Sequence, residues 1–161
     1  MITLSLLIVS VIFGMDQGMK YYVEKHVKDG KDQGFFRQRG ILRKVHNRGM
    51  MMNYLEQHPL LVQLASVFAM GILLIWQALT LKKRGHIWEK LGIAFMTGGA
   101  LSNTFDRVKR GYVVDFLAVK AKQKKLTDMT FNVGDFAIFG GAILTAAGVV
   151  RSCLGEGEER E

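Results

Sequence analysis

Residues 98–135 read GGALSNTFDRVKRGYVVDFLAVKAKQKKLTDMTFNVGD. The stretch holds two Asn-x-x-Asp pairs, Asn103/Asp106 and Asn132/Asp135, with a further acid, Asp115, between them. Each pair sits at or just inside the end of an apolar run long enough to enter a membrane. Carboxylates and carboxamides are expensive there, so by default they mark a functional site. The reading adopted is that Asp115 and Asp135 form a catalytic pair at a membrane face.

The rest of the chain bears on that reading through its length and patterning. With 161 residues it is one domain, 1–161, with no room for a second sizeable core. Its hydrophobic residues, 49% of the total, fall in four blocks separated by charged stretches. A single cysteine, Cys153, excludes a disulfide framework and a cysteine-based metal site within the chain. His46 and His58 lack a third ligand at metal spacing, so no metal is expected. A formal charge of +8 suits nucleic acid or an anionic lipid surface. No nucleic-acid motif accompanies it, and the basic residues flank apolar runs, which favours membrane lipids with anionic headgroups.

The blocks place spans at about 1–23, 60–81, 87–105 and 131–150, followed by an acidic tail at 155–161. A spanning helix needs about 20 mostly apolar residues. The second block has 22 residues without a charge, and the fourth has Asp135 as its only charge. The first and third reach that length only if neighbouring helices shield their polar ends. A soluble bundle of four buried helices is the competing reading, and uncharged runs this long argue against it. The first block lacks a basic start and a small-x-small cleavage site, so an uncleaved span is preferred to a signal peptide.

Four spans put both termini on one side and the first and third loops together on the other. Asp16 and Lys20 at the end of the first span then share a leaflet with Asn47, Asn103, Asp106, Arg107, Asp115, Asn132 and Asp135. Asp16 and Lys20 are four apart and can pair, with Lys20 snorkelling to the interface. Asp106, followed by Arg107, reads as a neutralised supporting acid. Alternation through GILRKVHNRG predicts a short strand in the first loop. Met50, Met51 and Met52 form an apolar patch, either core filler or a greasy contact. Small residues in blocks three and four read as close helix packing. Two carboxylates held close share a proton, so one can activate water while the other donates to a carbonyl. Asn103 and Asn132 can donate to them without competing for that proton. Buried acids also serve ion pathways and helix association, so a small proton conductor stays open here, although no charge line crosses the other leaflet.

The residues resemble the prolipoprotein signal peptidase, or signal peptidase II, family. The resemblance is carried by Asp16-Gln17-x-x-Lys20, Asn47-x-Gly49, GGALSNTFDR at 98–107, GYVVDF at 111–116 and Phe131-Asn132-x-x-Asp135. It implies an all-α integral membrane protein of four transmembrane helices, with a small extracytoplasmic β-containing cradle in the first loop. It implies an aspartyl endopeptidase of the bacterial cytoplasmic (inner) membrane. Such an enzyme removes signal peptides from diacylglyceryl-cysteine prolipoproteins; the dyad chemistry needs no cofactor, and a monomer is expected, although the sequence leaves the oligomeric state open. Carried over by motif, Asp115 and Asp135 are the dyad. Asp16, Lys20, Asn47, Gly49, Asn103, Asp106, Arg107 and Asn132 support it or touch substrate.

Some positions depart from the family pattern. Met50 and Met51 stand where small residues are usual, Ser102 where Gly is usual, and Gly134 where Ala is usual. Lys120, Lys122, Lys124 and Lys125 replace an aromatic-rich segment. These changes spare the dyad and bear on substrate fit and membrane engagement. A divergent paralogue of altered specificity, or a non-catalytic binder of lipidated proteins, is the alternative. The loops at 24–58 and 106–130 carry fifteen Lys/Arg against six on the opposite side. By the positive-inside rule that bias places the site in the cytoplasm, whereas the resemblance places it outside. The resemblance is preferred.

Overall fold

Four long helices follow the four apolar blocks. A computed structural model describes residues 1–35, 39–50 and 55–158. Helix α1 spans Ile2–His26, α2 Pro59–Lys82 and α3 Ile87–Arg110; a short helix, α4, spans Lys124–Asp128, and α5 spans Val133–Glu158. Pro59 opens α2 at a position where its missing N–H costs nothing. Gly111, at φ +78, ends α3 in the left-handed conformation that a glycine adopts without strain, its N–H bonded to the Arg107 carbonyl. The start of the acidic tail continues α5 to Glu158. Phe36, Met51, Met52 and residues 159–161 lie outside the described residues.

Three helices are long and apolar enough to cross a membrane: Ile2–His26, Pro59–Lys82 and Val133–Leu154. The fourth long helix, α3, has the length, but Glu89, Lys90, Asp106, Arg107, Lys109 and Arg110 load its ends with charge. It sits centrally, packed against α1, α2 and most extensively α5, and it buries Glu89, Lys90, Thr97, Ser102, Asn103 and Asp106. The outer faces are the reverse: Leu6, Phe68, Ile75 and Ile143 are each more than 60% exposed. Apolar outside and polar inside is the arrangement of helices solvated by lipid. Helices α1 and α2 are joined in their buried halves by Gln77 Nε2 donating to Ser5 Oγ at 2.6 Å.

Helices in lipid gain little from hydrophobic contrast and rely on close backbone approach. The contact between α3 and α5 shows it. A Cβ on Gly141 would lie 2.5 Å from the Gly92 carbonyl oxygen, and one on Gly99 would collide with that of Gly134.

The β-structure is larger than a first-loop cradle. Strands β1 (Gln33–Phe35) and β2 (Gly40–Asn47) come from that loop, but β3 (Val113–Val119) and β4 (Thr130–Phe131) come from the third. They form one antiparallel sheet in the order β1-β2-β3-β4. The run VVDFLAV is rich in β-branched residues and follows directly on the Gly111 turn, so it pairs with β2 rather than remaining loop. Val23 of α1 and Val27, which caps its C-terminus, pack with Val114 and Phe116, seating the sheet on the end of α1. Glu24 adds polar ties, accepting from His46 Nε2 at 2.8 Å and from the Tyr112 hydroxyl at 3.5 Å.

Replacing Gly99 with Ala should force α3 and α5 apart and destabilise the fold by roughly 1–3 kcal/mol. Gly71→Ala on α2 has nothing within 4 Å and should be neutral or stabilising by up to about 1 kcal/mol. Thermal unfolding in detergent checks both; equal midpoints for the two variants would contradict the close-packing account.

Candidate active site

The site is built at one end of the bundle, where α1, α3 and α5 meet the sheet. Its foundation is Lys20, which is fully buried rather than snorkelling. Its ammonium lies 2.6 Å from Asp16 Oδ2 and 3.0 Å from Asp106 Oδ2, and it donates to Asn103 Oδ1 at 2.8 Å. The ammonium is thus held by two carboxylates and by one amide oxygen. Asp16 Oδ2 also accepts from the Ser102 hydroxyl at 2.6 Å, and Asp16 Oδ1 accepts from the Gly134 N–H at 2.9 Å. Asp106 is balanced by Lys20 and by Arg110, 3.4 Å away. Its sequence neighbour Arg107 does not serve, because adjacent residues on a helix face different directions. Arg107 instead donates to the carbonyl oxygens of Gly49 at 3.2 Å and Asn103 at 3.5 Å.

Lys20 also fixes the Asn103 amide. With Oδ1 held by the ammonium, Nδ2 is turned outward and donates to Asp135 Oδ1 at 2.9 Å. Asn132 is the N-cap of α5 rather than a residue within it. Its Oδ1 accepts from the Asp135 N–H at 2.9 Å, while Asp135 Oδ2 accepts from the Asn132 N–H at 3.0 Å. This reciprocal pair is a capping box, in which an N-cap side chain and the third helical residue satisfy each other's backbone. The remaining Asn132 group, Nδ2, donates to Asp115 Oδ1 at 2.7 Å. One buried carboxamide therefore holds both acids.

The fourth carboxylate oxygen of the two acids, Asp115 Oδ2, accepts from Asn47 Nδ2 at 3.0 Å. That contact depends on an irregularity in β2. Gly40–Leu42 pair with 117–119, but after a register shift Val45 pairs with Asp115 and Asn47 with Val113. Had the first register continued, Asn47 would face residue 112 and project from the opposite side of the sheet to Asp115. The extra residue turns Asn47 onto the correct face, one diagonal step from the acid. Asn47 Oδ1 then accepts from the Gly49 N–H at 3.1 Å, shaping the turn that Arg107 holds from below.

Asp115 and Asp135 line one cavity of about 360 Å³. Asn47, Asn103 and Arg107 contribute its polar wall, and Val45, Met50, Val113, Phe131, Ile138 and Phe139 much of its apolar wall. Burial pushes the Asp115 carboxyl up to about 7; the negative charge of Asp135 adds to the effect, and the hydrogen bonds from Asn47 and Asn132 and the charge of Lys20 oppose it. Among the described residues no group of three or more His, Cys, Asp or Glu side chains could hold a metal ion.

All ten residues named from the sequence fall in this one assembly. The sequence reading takes Ser102 as a small packing residue and Gln17 as part of a motif, and assigns no hydrogen bond to either or to the Gly134 N–H; Gln17 Nε2 lies 2.9 Å from Ser102 Oγ and 3.1 Å from Asp106 Oδ1. Ser102 was legible in principle, since it lies four residues before Asp106 on the helix face that Asp16 and Lys20 must meet.

Residues 8–151 match the family model described as Signal peptidase (SPase) II. The chain belongs to the signal peptidase II family. The lipoprotein signal peptidase of Pseudomonas syringae pv. tomato is 32% identical over 148 residues, 88% of this chain and 83% of that protein. That of Caldanaerobacter subterraneus is 30% identical over 141 residues, 88% of this chain and 92% of that one. A Pseudomonas aeruginosa relative is 37% identical over 92 residues, so that match spans about half of each protein, 57% of this chain and 53% of the relative. A solved bacterial membrane enzyme shares the fold, with a TM-score of 0.79 at 23% identity, covering 100% of this chain and 93% of that one. The family and the three apolar helices make this a bacterial membrane protein.

The raised Asp115 value carries a sign. Unfolded, the carboxyl ionises near 3.8; folded, it keeps its proton to about 7. Stability should therefore fall as pH rises from about 4 to about 7, because the folded state must then ionise a buried acid. Asp115→Asn removes that penalty and should be more stable than the parent above pH 7, by on the order of 2–4 kcal/mol. Unfolding midpoints against pH check this; an unchanged pH slope in the variant would contradict it.

Proposed function

We propose that this protein is a membrane aspartyl endopeptidase that removes signal peptides from prolipoproteins bearing a diacylglyceryl-cysteine. The single observation that carries the reading is the placement of Asp115 and Asp135 in one cavity, with Asn132 bonded to both. Near neutrality Asp115 holds the proton that the two acids share. Asp135 takes a proton from water, the oxygen attacks the carbonyl preceding the lipidated cysteine, and Asp115 donates to the carbonyl oxygen. Collapse breaks the C–N bond, and the leaving amine takes up the proton. Asn47, Asn103 and Asn132 hold each carboxylate oxygen in place without titrating themselves. The apolar wall of the cavity suits a signal peptide's apolar residues and the lipid beside them.

The chain on this reading is a single four-span domain, with α3 as the fourth span, lodged in the bacterial inner membrane. The sheet and the acids face the extracytoplasmic side, where lipidated precursors emerge, and the protein acts as a monomer without a cofactor.

Asp115→Asn and Asp135→Asn should each lower kcat on a diacylglyceryl-cysteine peptide by at least roughly 10²–10⁴-fold while leaving folding intact. The unlipidated form of the same peptide should be cut poorly by the parent. Cleavage retained by both variants would refute the dyad and favour a non-catalytic binder on the same scaffold.

A further inference from the structure

The segment between β3 and β4 is not used by the chemistry above. It carries Lys120, Lys122, Lys124 and Lys125 in six residues, with Asp128 as its only acid. Lys120, Lys122 and Lys124 are exposed, and none has an ion-pair partner among the described residues. Two apolar side chains flank them, Val119 at 60% and Leu126 at 50% exposure. A basic run that is merely solvated has no use for exposed aliphatic residues at its borders.

The segment is held in a defined shape. Thr127 Oγ1 accepts from the Ala121 N–H at 3.0 Å and donates to the Ala121 carbonyl at 3.1 Å, clasping the loop across six residues. The Leu126 N–H donates to Gln123 O at 3.1 Å, and the Lys120 N–H to Arg39 O at 2.9 Å. Its base is pinned by the pairing of Ala118 with Thr130 and Leu117 with Phe131. The ladder joins the end of the strap to the strand that leads into α5, whose Phe136 is half exposed and lies tilted against Phe131, ring centres 5.9 Å apart. Phe139 and Ile143 continue that outward apolar wall along α5. The strap thus joins the chain at the end of α5 where that outward apolar wall begins.

We propose that residues 119–128 form a docking strap for an anionic phospholipid surface, with the lysines on headgroup phosphates and Val119 and Leu126 in the interface. The inference rests on the reading of the chain as a multi-pass membrane protein with its sheet at the bilayer surface. Basic side chains beside a membrane gain from its negative surface potential, and flanking aliphatic groups add interfacial burial. The strap supplies four of the fifteen Lys/Arg at the sheet end of the bundle, and these charges face headgroups instead of reporting orientation. Asp128 and Met129 line the cavity, so docking would hold this wall of the site against the leaflet that carries lipidated precursors.

The test reads depth rather than cleavage, so it does not depend on the dyad and can be run in the inactive Asp115→Asn background. A nitroxide is placed at Leu126→Cys in a Cys153→Ser protein reconstituted in phosphatidylcholine vesicles with or without phosphatidylglycerol. A control label at Arg84→Cys, at the other end of the bundle, reports any change in the bilayer itself. Phosphatidylglycerol should shift the Leu126 label from access by a water-soluble nickel complex to access by oxygen, and salt should weaken the shift. In a Lys120→Gln, Lys122→Gln, Lys124→Gln protein the phosphatidylglycerol fraction giving half the effect should rise roughly 10-fold. A shift that ignores phosphatidylglycerol, or that survives the triple substitution, overturns the proposal. So does protection that appears in phosphatidylcholine alone on adding a soluble acidic peptide, which would make the partner a protein segment.

Discussion

A lysine buried between two aspartates is the constraint on which this structure depends. Removing Lys20 would leave Asp16 without a counter-charge and Asp106 with Arg110 alone, both acids at 0% exposure, and breaking such a pair by deleting one partner is strongly destabilising. Stability alone does not explain the pair, since a well-packed apolar replacement of a buried ion pair is often as stable or more so. What Lys20 supplies is orientation. It fixes the Asn103 amide, and Asn103 presents its N–H to Asp135. Asp16 meanwhile takes the Gly134 N–H in the first turn of α5. The same network thus positions both the helix that carries one acid and a donor to that acid.

The second acid is positioned from the other direction. Asp115 belongs to a strand, and its alignment depends on the seat of the sheet on α1 and on the extra residue in β2 that turns Asn47 toward it. Two independent frameworks, a helical one and a sheet one, meet at Asn132. That residue caps α5 with its backbone and Oδ1 and holds Asp115 with Nδ2. Rigid elements hold reacting groups more precisely than loops do, and here neither acid is on a loop.

The helical part of this arrangement was legible in the sequence because its signals are periodic. The i, i+4 spacing of Asp16 and Lys20, the i, i+3 spacing of Asn103 and Asp106, and the long uncharged runs each report a helix face or a span directly. The β2 strand was legible from its alternation. Three features were not. The pairing of β2 with β3 joins segments about seventy residues apart, and no local pattern encodes that partnership. The extra residue in β2 is visible only once a register exists. Asp106 was assigned to its chain neighbour Arg107, whereas the structure pairs it with Lys20 and Arg110, because charge balance inside a bundle is set by facing helices rather than adjacent residues.

The central claim is that Asp115 and Asp135 act as a pair with one shared proton. It is tested most directly by the pH dependence of kcat/KM on a diacylglyceryl-cysteine peptide, which reports the ionisations of the free enzyme. With Asp115 holding its proton to about 7, the account predicts a profile that declines on its alkaline side from about that pH. A rate that stays flat well above pH 7 would contradict it.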